Sequence, residues 1–465
     1  MLTEMTVRDT LQRELFGLLS INQWTAMARK LGDYPAPDVA DFLDRLPEGQ
    51  RAVLFRALPR TLATAVFASL EAARQEALLH DLTGTETREL LAALSPDDRT
   101  ALLAELPAAV TQRLLTMLSA DDLAEARQLL GYPEGSVGRL MTPDVVAVGS
   151  DWTVGQALAH LRTVGRDAET LDVIYVVDGR NMLLDDLRLR ALVLADPAAG
   201  VLSLMDGGYI ALRATDHREE AVRAMGHYDR TALPVIDSDS VLLGIVTVDD
   251  VLDVAEEEAT EDFQKLGGLE ALDQPYMQTG FLAMFRKRGG WLAALFLGEM
   301  LTATAMGFFE GEIARAVVLA LFVPLIISSG GNSGSQATSL VIRAMALHEV
   351  GLRDWWRILL RELPTGLALG ALLGAVGVSR IMAWQALGWA DYGVHAPLVA
   401  ATVGCSLIGV VLFGTLTGSL LPFLLRRIGF DPASASAPFV ATLVDVTGLV
   451  IYFTMASIIL RGTLL

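Results

Sequence analysis

A single cysteine, Cys405, stands in the 465 residues, and it lies in an apolar run. No disulfide can form within the chain, and no thiol metal site is indicated. The six histidines are scattered, and there is neither a phosphate-cradling glycine loop nor a paired nucleophile and base, so nothing indicates an enzyme. Positive charge is scarce: 36 Lys and Arg face 55 Asp and Glu, for a net charge of -19. Such a chain repels nucleic acid and attracts cations. The opening MLTEMTVRDT lacks a basic stretch followed by an apolar core, so no cleavable signal peptide is expected.

Apolar residues are abundant. They make up 52% of the chain, and the mean hydropathy of +0.43 is too high for an all-soluble protein. Charge is unevenly placed. Residues 288–465 carry 9 acidic and 10 basic side chains, against 46 and 26 in residues 1–287, balances of +1 and -20. An acidic soluble part therefore precedes a nearly neutral membrane part.

In residues 40–130 leucine recurs every twelve positions, at Leu46, Leu58, Leu70, Leu82, Leu94, Leu106, Leu118 and Leu130, with turn or capping residues often following. Ser95 and Ser119 precede Asp97-Asp98 and Asp121-Asp122, the composition of a helix start. Helices this short cannot bury an apolar face alone, so the spacing predicts a stacked α-superhelix. Residues 138–255 change period. Short β-like runs alternate with helical patterns at Val154–Val164 and Glu219–Gly226, a small α/β unit written twice. This stretch resembles a tandem CBS-domain pair. The second copy has the form Gly244-Ile245-Val246-Thr247-Val248-Asp249-Asp250, in which the last Asp can hold a ribose hydroxyl in such pairs. Ala191 stands at that point of the first copy, which counts against ATP binding there.

Eight acidic residues then crowd the stretch from Asp249 to Asp262. On a helix, Asp250, Asp253 and Glu257 share one face, as do Glu258, Glu261 and Asp262 by a similar rule. Like charges so placed repel unless a hard divalent cation lies among them. A solvated acidic linker is the alternative.

Five apolar spans follow, at about 289–309, 313–345, 363–384, 396–425 and 436–460, each long enough to cross a bilayer. Arg286-Lys287-Arg288, the cluster Arg343, Arg353, Arg357, Arg361, and Arg426-Arg427 mark one side as cytosolic. The N-terminus is then expected in the cytosol and the C-terminus outside. The run Ser328-Ser329-Gly330-Gly331-Asn332-Ser333-Gly334-Ser335-Gln336 predicts an interruption of the second span, with Asn332 and Gln336 offering amide oxygens to an ion. Small residues there also permit close helix approach, the other reading. In the fifth span Asp445 sits among apolar neighbours, at a cost on the order of 2.5–3.5 kcal/mol, which marks an ion pathway; an Asp paired with an Arg of another span is the alternative. Glu299 in the first span is a second intramembrane acid.

Together PLIISSGGNSGSQ at Pro324–Gln336, ATLVDVTGL around Asp445, LLPFLLRRIGFDP, YPEGSVGRLMTP and VTVDDVLDVAEEEATED resemble the MgtE family of magnesium channels over nearly the whole chain. The resemblance implies a multidomain membrane protein: a cytosolic α-superhelical domain (1–131), a tandem CBS domain (132–254), an acidic connecting helix (255–287) and a five-helix transmembrane domain (288–465). It implies a homodimer in the cell membrane, in contact with lipid, whose pore the second and fifth spans line. Mg²⁺ would be both the ion carried and the regulator that closes the pore. Carried over residue by residue, Asp445 resembles the filter carboxylate, Ala441 a nearby carbonyl donor and Asn332 a pore-lining amide. Asp229, Asp250, Asp253, Glu258, Glu261 and Asp262 resemble cytosolic sensing ligands, joined by Glu219 and Asp98. His227 stands where an acid is expected, and Glu299 departs from the family pattern. The competing readings are an exchanger coupled to H⁺ or Na⁺ and a non-transporting CBS membrane sensor.

Overall fold

The computed structural model describes residues 23–464, apart from residues 167, 273–275, 278 and 348 and the side chain of Glu48. The first 22 residues of the expected α-superhelical domain lie outside the described residues. The chain forms two compact units, Met1–Glu256 and Glu257–Leu465.

The first unit opens with α1 (Trp24–Leu31), α2 (Ala36–Asp44), α3 (Glu48–Ala57), α4 (Arg60–Ala68), α5 (Ala72–Asp81), α6 (Gly84–Leu91), α7 (Pro96–Glu105), α8 (Ala108–Leu115) and α9 (Ala120–Leu130). Helices two apart in sequence pack together (α1 on α3, α2 on α4, α3 on α5, α5 on α7), which is the stacking that the leucine spacing predicts. The period is better described as 24 residues. Arg51, Gln75 and Arg99, spaced by 24, each reach back eight residues to a carbonyl: Arg51 Nε to Leu43 (3.1 Å), Gln75 Nε2 to Phe67 (2.9 Å) and Arg99 Nη1 to Leu91 (3.3 Å). These carbonyls lie in the last turns of α2, α4 and α6, where no intrahelical donor remains. Ser119 caps α9 by accepting from the Asp122 amide (3.1 Å), whereas the Ser95 side chain makes no such cap.

The two α/β copies then repeat one three-stranded design. β1 (Ala147–Gly149) runs parallel to β2 (Val173–Val177), which pairs antiparallel with β3 (Leu183–Arg188); β4 (Leu212–Arg213), β5 (Ala232–Ile236) and β6 (Leu242–Thr247) do the same. The registers Val176 with Asp185 and Val235 with Gly244 make Asp185 and Gly244 equivalent positions. Gly244 is required because an added Cβ would collide with the Thr142 carbonyl oxygen. Asp185 is instead fully buried, and its carboxylate accepts from the amides of Asp186, Asp206 and Gly207 at 2.9–3.0 Å. The two copies have thus diverged within their third strands.

Helix Val248–Leu266 carries the acidic stretch. The second unit holds five helices long and apolar enough to cross a membrane: Phe281–Phe308, Val317–Ala346, Leu352–Leu387, Ala396–Arg427 and Ala437–Ile459, hereafter the first to fifth spans. The third begins more than two turns before its expected start, because Pro364 lies inside the helix without ending it. The predicted interruption of the second span is not there. Val323–Ala346 is one continuous α-helix through all the glycines. Gly330 and Gly334 face the fourth span, where a Cβ on Gly414 or Gly418 would strike their carbonyl oxygens. Ser333 Oγ and Thr415 Oγ1 join at 2.7 Å, and Thr338 Oγ1 donates to the Gly418 carbonyl at 2.9 Å. Close backbone approach, not irregular backbone, explains the small residues. Gly418→Val is therefore expected to destabilise the membrane unit by at least the roughly 1–3 kcal/mol of an overpacked core. An unchanged thermal midpoint in detergent would contradict this packing.

Candidate functional site

Two groups of polar residues are built by these folds, one in each unit. In the soluble unit, α7 begins with Pro96 and presents Asp97 and Asp98 in its first turn, where the helix dipole favours negative charge. Helix Val248–Leu266 likewise begins with Asp249 and Asp250. The fold sets these two helix starts close enough for their carboxylates to repel. Burial first, and then the charge of Asp97, raise Asp250 to about 8, although Thr247 Oγ1 donates to its Oδ2 at 2.6 Å. Burial, followed by Asp97, Asp249 and Asp253, raises Asp98. Asp97 is raised chiefly by burial, with Asp249 adding to it, and its Oδ1 is buried without a hydrogen-bond partner. Glu169 joins them, lifted to about 7 by burial and by Asp97, Asp249, Asp98 and Asp144.

Asp98, Asp250 and Asp253 are thus brought into one acidic field. Asp97, Asp249 and Glu169 belong to it as well, and sequence reasoning missed their part. In the sequence Asp97 is only half of a helix-start pair and Asp249 one of a crowd, and nothing there marks Glu169. Among the described residues, no three ligand-type side chains are close enough together to hold a metal ion as they stand. The field suits a hard cation in its chemistry, since repelling carboxylates are the oxygens such an ion uses.

The other expected sensing residues lie elsewhere. Glu219 is an exposed first-turn residue of helix Arg218–Tyr228, 3.8 Å from His217 Nδ1. Asp229 ends that helix in the left-handed conformation (φ 49°) and is exposed. His227, beside it, packs edge-on against the Tyr228 ring. Glu261 already has a cation of its own chain: Lys265 Nζ lies 2.5 Å from Glu261 Oε1 and 2.6 Å from Asp431 Oδ2. Glu258 and Asp262 are half-buried on the same helix.

In the membrane unit, the second and fifth spans pack through small residues. A Cβ on Gly331 would lie 3.5 Å from Ala441 Cβ, and Ser335 Oγ reaches the Ala437 carbonyl at 3.3 Å. Asn332 follows Gly331 directly and shares an exposed face with Ser328 and Gln336, its Nδ2 3.5 Å from Ser328 Oγ. Asp445 lies one helical turn beyond Ala441, half-buried. In an unbroken helix the Ala441 carbonyl is engaged by the amide four residues on, yet it keeps a second lone pair. Ala441 therefore lies where these two spans meet, with Asn332 next in sequence to the Gly331 it faces and Asp445 one turn along its own helix. The charged group set against Asp445 is a further acid, Glu299 of the first span. Among the described residues, no ion pair with arginine, the plain structural explanation for a membrane Asp, is made by Asp445.

A family model described as MgtE, divalent cation transporter, matches residues 323–455; one for the MgtE intracellular N domain matches 34–135, and one for the CBS domain 201–257. The chain is 43% identical over 339 residues to the magnesium transporter MgtE of Thermus thermophilus, covering 73% of each chain. It is 33% identical to the magnesium transporter MgtE of Enterococcus faecalis, covering 72% of each. Among solved structures, the cytosolic domain of the Mg²⁺ channel MgtE in complex with ATP matches at 38% identity and a TM-score of 0.50, over 52% of this chain and 98% of that one. The soluble part of a magnesium transporter matches at 27% identity and a TM-score of 0.51, over 54% and 99%.

Proposed function

This chain belongs to the MgtE family of divalent cation transporters, and from that premise we propose that it carries Mg²⁺ into the cytosol through a homodimeric pore. The observation that carries the reading is the close packing of the second and fifth spans at Gly331 and Ala441, beside which we read Asn332, Ala441 and Asp445 as one strip of oxygen-bearing groups. Two copies of that strip about a two-fold axis would surround a path with two Asp445 carboxylates. Mg²⁺ gives up its water reluctantly and keeps several waters when bound to carboxylates. Asp445 therefore holds the ion through water, and the negative charge on the axis repels anions. The membrane potential drives entry, at about 2.3 kcal/mol per charge per 100 mV and twice that for a divalent ion. The N-terminus lies in the cytosol and the C-terminus outside, in keeping with the arginine-rich connections.

The acidic field around Asp98, Asp250 and Asp253 senses cytosolic Mg²⁺, and Glu258, Glu261, Asp262, Asp229 and Glu219, which lie outside that field, are further ligands of the sensing ions. Ions bound there close the pore by favouring the closed state through their differential affinity for it. ATP is a further ligand of the second CBS copy, through Asp250; in the first copy Ala191 takes the matching place, and Asp186 pairs with Arg230 at 2.7 Å. The test is Mg²⁺ uptake by liposomes containing the full chain, under an inside-negative potential. Uptake that follows the potential and stops when the internal face is loaded with Mg²⁺ is the expected result. Uptake that requires a proton or Na⁺ gradient would replace the channel with an exchanger, and the absence of flux would leave only a sensor.

A further inference from the structure

Glu299 is an acid within a span, where charge is costly, so its surroundings bear on function. The first and fifth spans run in the same direction, side by side. Trp291 meets Ser436 and Phe439, a Cβ on Gly298 would touch Thr442, and Phe309 stacks on Phe453 at 5.0 Å. This register sets Glu299 against Asp445, so that the two carboxyl groups are close neighbours. One turn further along, Thr302 is 8% exposed, and its hydroxyl has no hydrogen-bond partner. A helical threonine ordinarily bonds the carbonyl four residues back, as Thr304 does to Met300 (3.2 Å) and Thr442 to Pro438 (3.0 Å). Two carboxyl groups and an unclaimed hydroxyl therefore occupy the strip where these spans meet.

All are oxygen ligands, and their number decides which ion gains from them. Ca²⁺ accepts six to eight oxygens in flexible geometry, whereas Mg²⁺ demands a tight octahedron and holds its water. Resting on the reading of Asp445 as the permeation site, we propose that Glu299 is a specificity-determining residue that adds a second carboxylate beside Asp445 and makes Ca²⁺ a competitor of Mg²⁺ there. An ion passing Asp445 alone is held through water. With Glu299 alongside, the more readily dehydrated ion finds direct oxygen ligation and stays longer.

The test is block of Mg²⁺ uptake by external Ca²⁺, using the full chain in liposomes. Glu299→Gln is expected to raise the half-blocking Ca²⁺ concentration about tenfold, or about 1.4 kcal/mol, while Glu299→Asp stays close to wild type. Thr302→Val is expected to weaken the block in the same direction, and it decides the matter should Glu299→Gln fail to fold. Wild-type uptake indifferent to Ca²⁺, or an unchanged half-blocking concentration in the folded variants, overturns the proposal. If Asp445→Ala still abolishes uptake in that case, the permeation reading stands without it. A wild-type chain that passes no Mg²⁺ would instead remove the reading on which the proposal rests.

Discussion

Asp445→Ala abolishes Mg²⁺ uptake while the protein still assembles and keeps its size in detergent. The argument is electrostatic. A doubly charged ion held through one water about 5 Å from a carboxylate gains roughly 6–7 kcal/mol at an effective dielectric near 20. Each decade of rate or affinity corresponds to only about 1.4 kcal/mol, so even a heavily discounted loss removes measurable flux. Folding should survive, because alanine is the best helix former and the variant removes a charge that is costly at that depth. The α-helical contacts of Val440, Val444 and Gly448, all buried, are untouched. Dye-reported uptake in liposomes, with size-exclusion chromatography beside it, makes the measurement. Flux within twofold of wild type would remove Asp445 from the filter.

Neutralising Asp250, Asp253, Glu258 and Glu261 together leaves the pore conducting at internal Mg²⁺ concentrations that silence the wild type. Without those carboxylates, bound Mg²⁺ has no differential affinity with which to favour closure. Inhibition retained in patch recordings of the quadruple variant would contradict the sensor. A pH measurement probes the same field without mutation. Asp250 is raised to about 8 and Glu169 to about 7, well above their unfolded values near 4. For acids whose folded values are raised, the protonated form stabilises the fold, and that contribution is lost as pH climbs through the folded values. The metal-free full chain should therefore melt at a lower temperature at pH 8 than at pH 6. Mg²⁺, which takes the place of the protons, should raise the midpoint more at pH 8. A larger gain at pH 6 would show that these groups are not the ones the metal meets.

Local rules carried far along this chain. The twelve-residue leucine spacing predicted stacked short helices because each burying position recurs at a fixed phase of a repeating unit; Leu46, Leu58, Leu70, Leu94 and Leu106 are all buried. The strand Val173–Val177 and the helix Val154–Val164 were legible to the residue, since a fully apolar run and a capping box, Thr153 with Gln156, leave little choice. The glycines of the second span were misleading. Glycine permits both a broken helix and a close one, and only the facing Gly414 and Gly418 decide between them.

Hydropathy, charge asymmetry and periodicity by themselves determined five spans, a stacked helical array, a doubled α/β unit and the singular place of Asp445, because each depends on neighbours within a turn or a strand. Which acids share a field was decided only by tertiary structure. Glu169 lies some seventy residues from Asp97, and Glu299 nearly one hundred and fifty from Asp445. Electrostatic energy depends on distance through space, which the order of residues does not record.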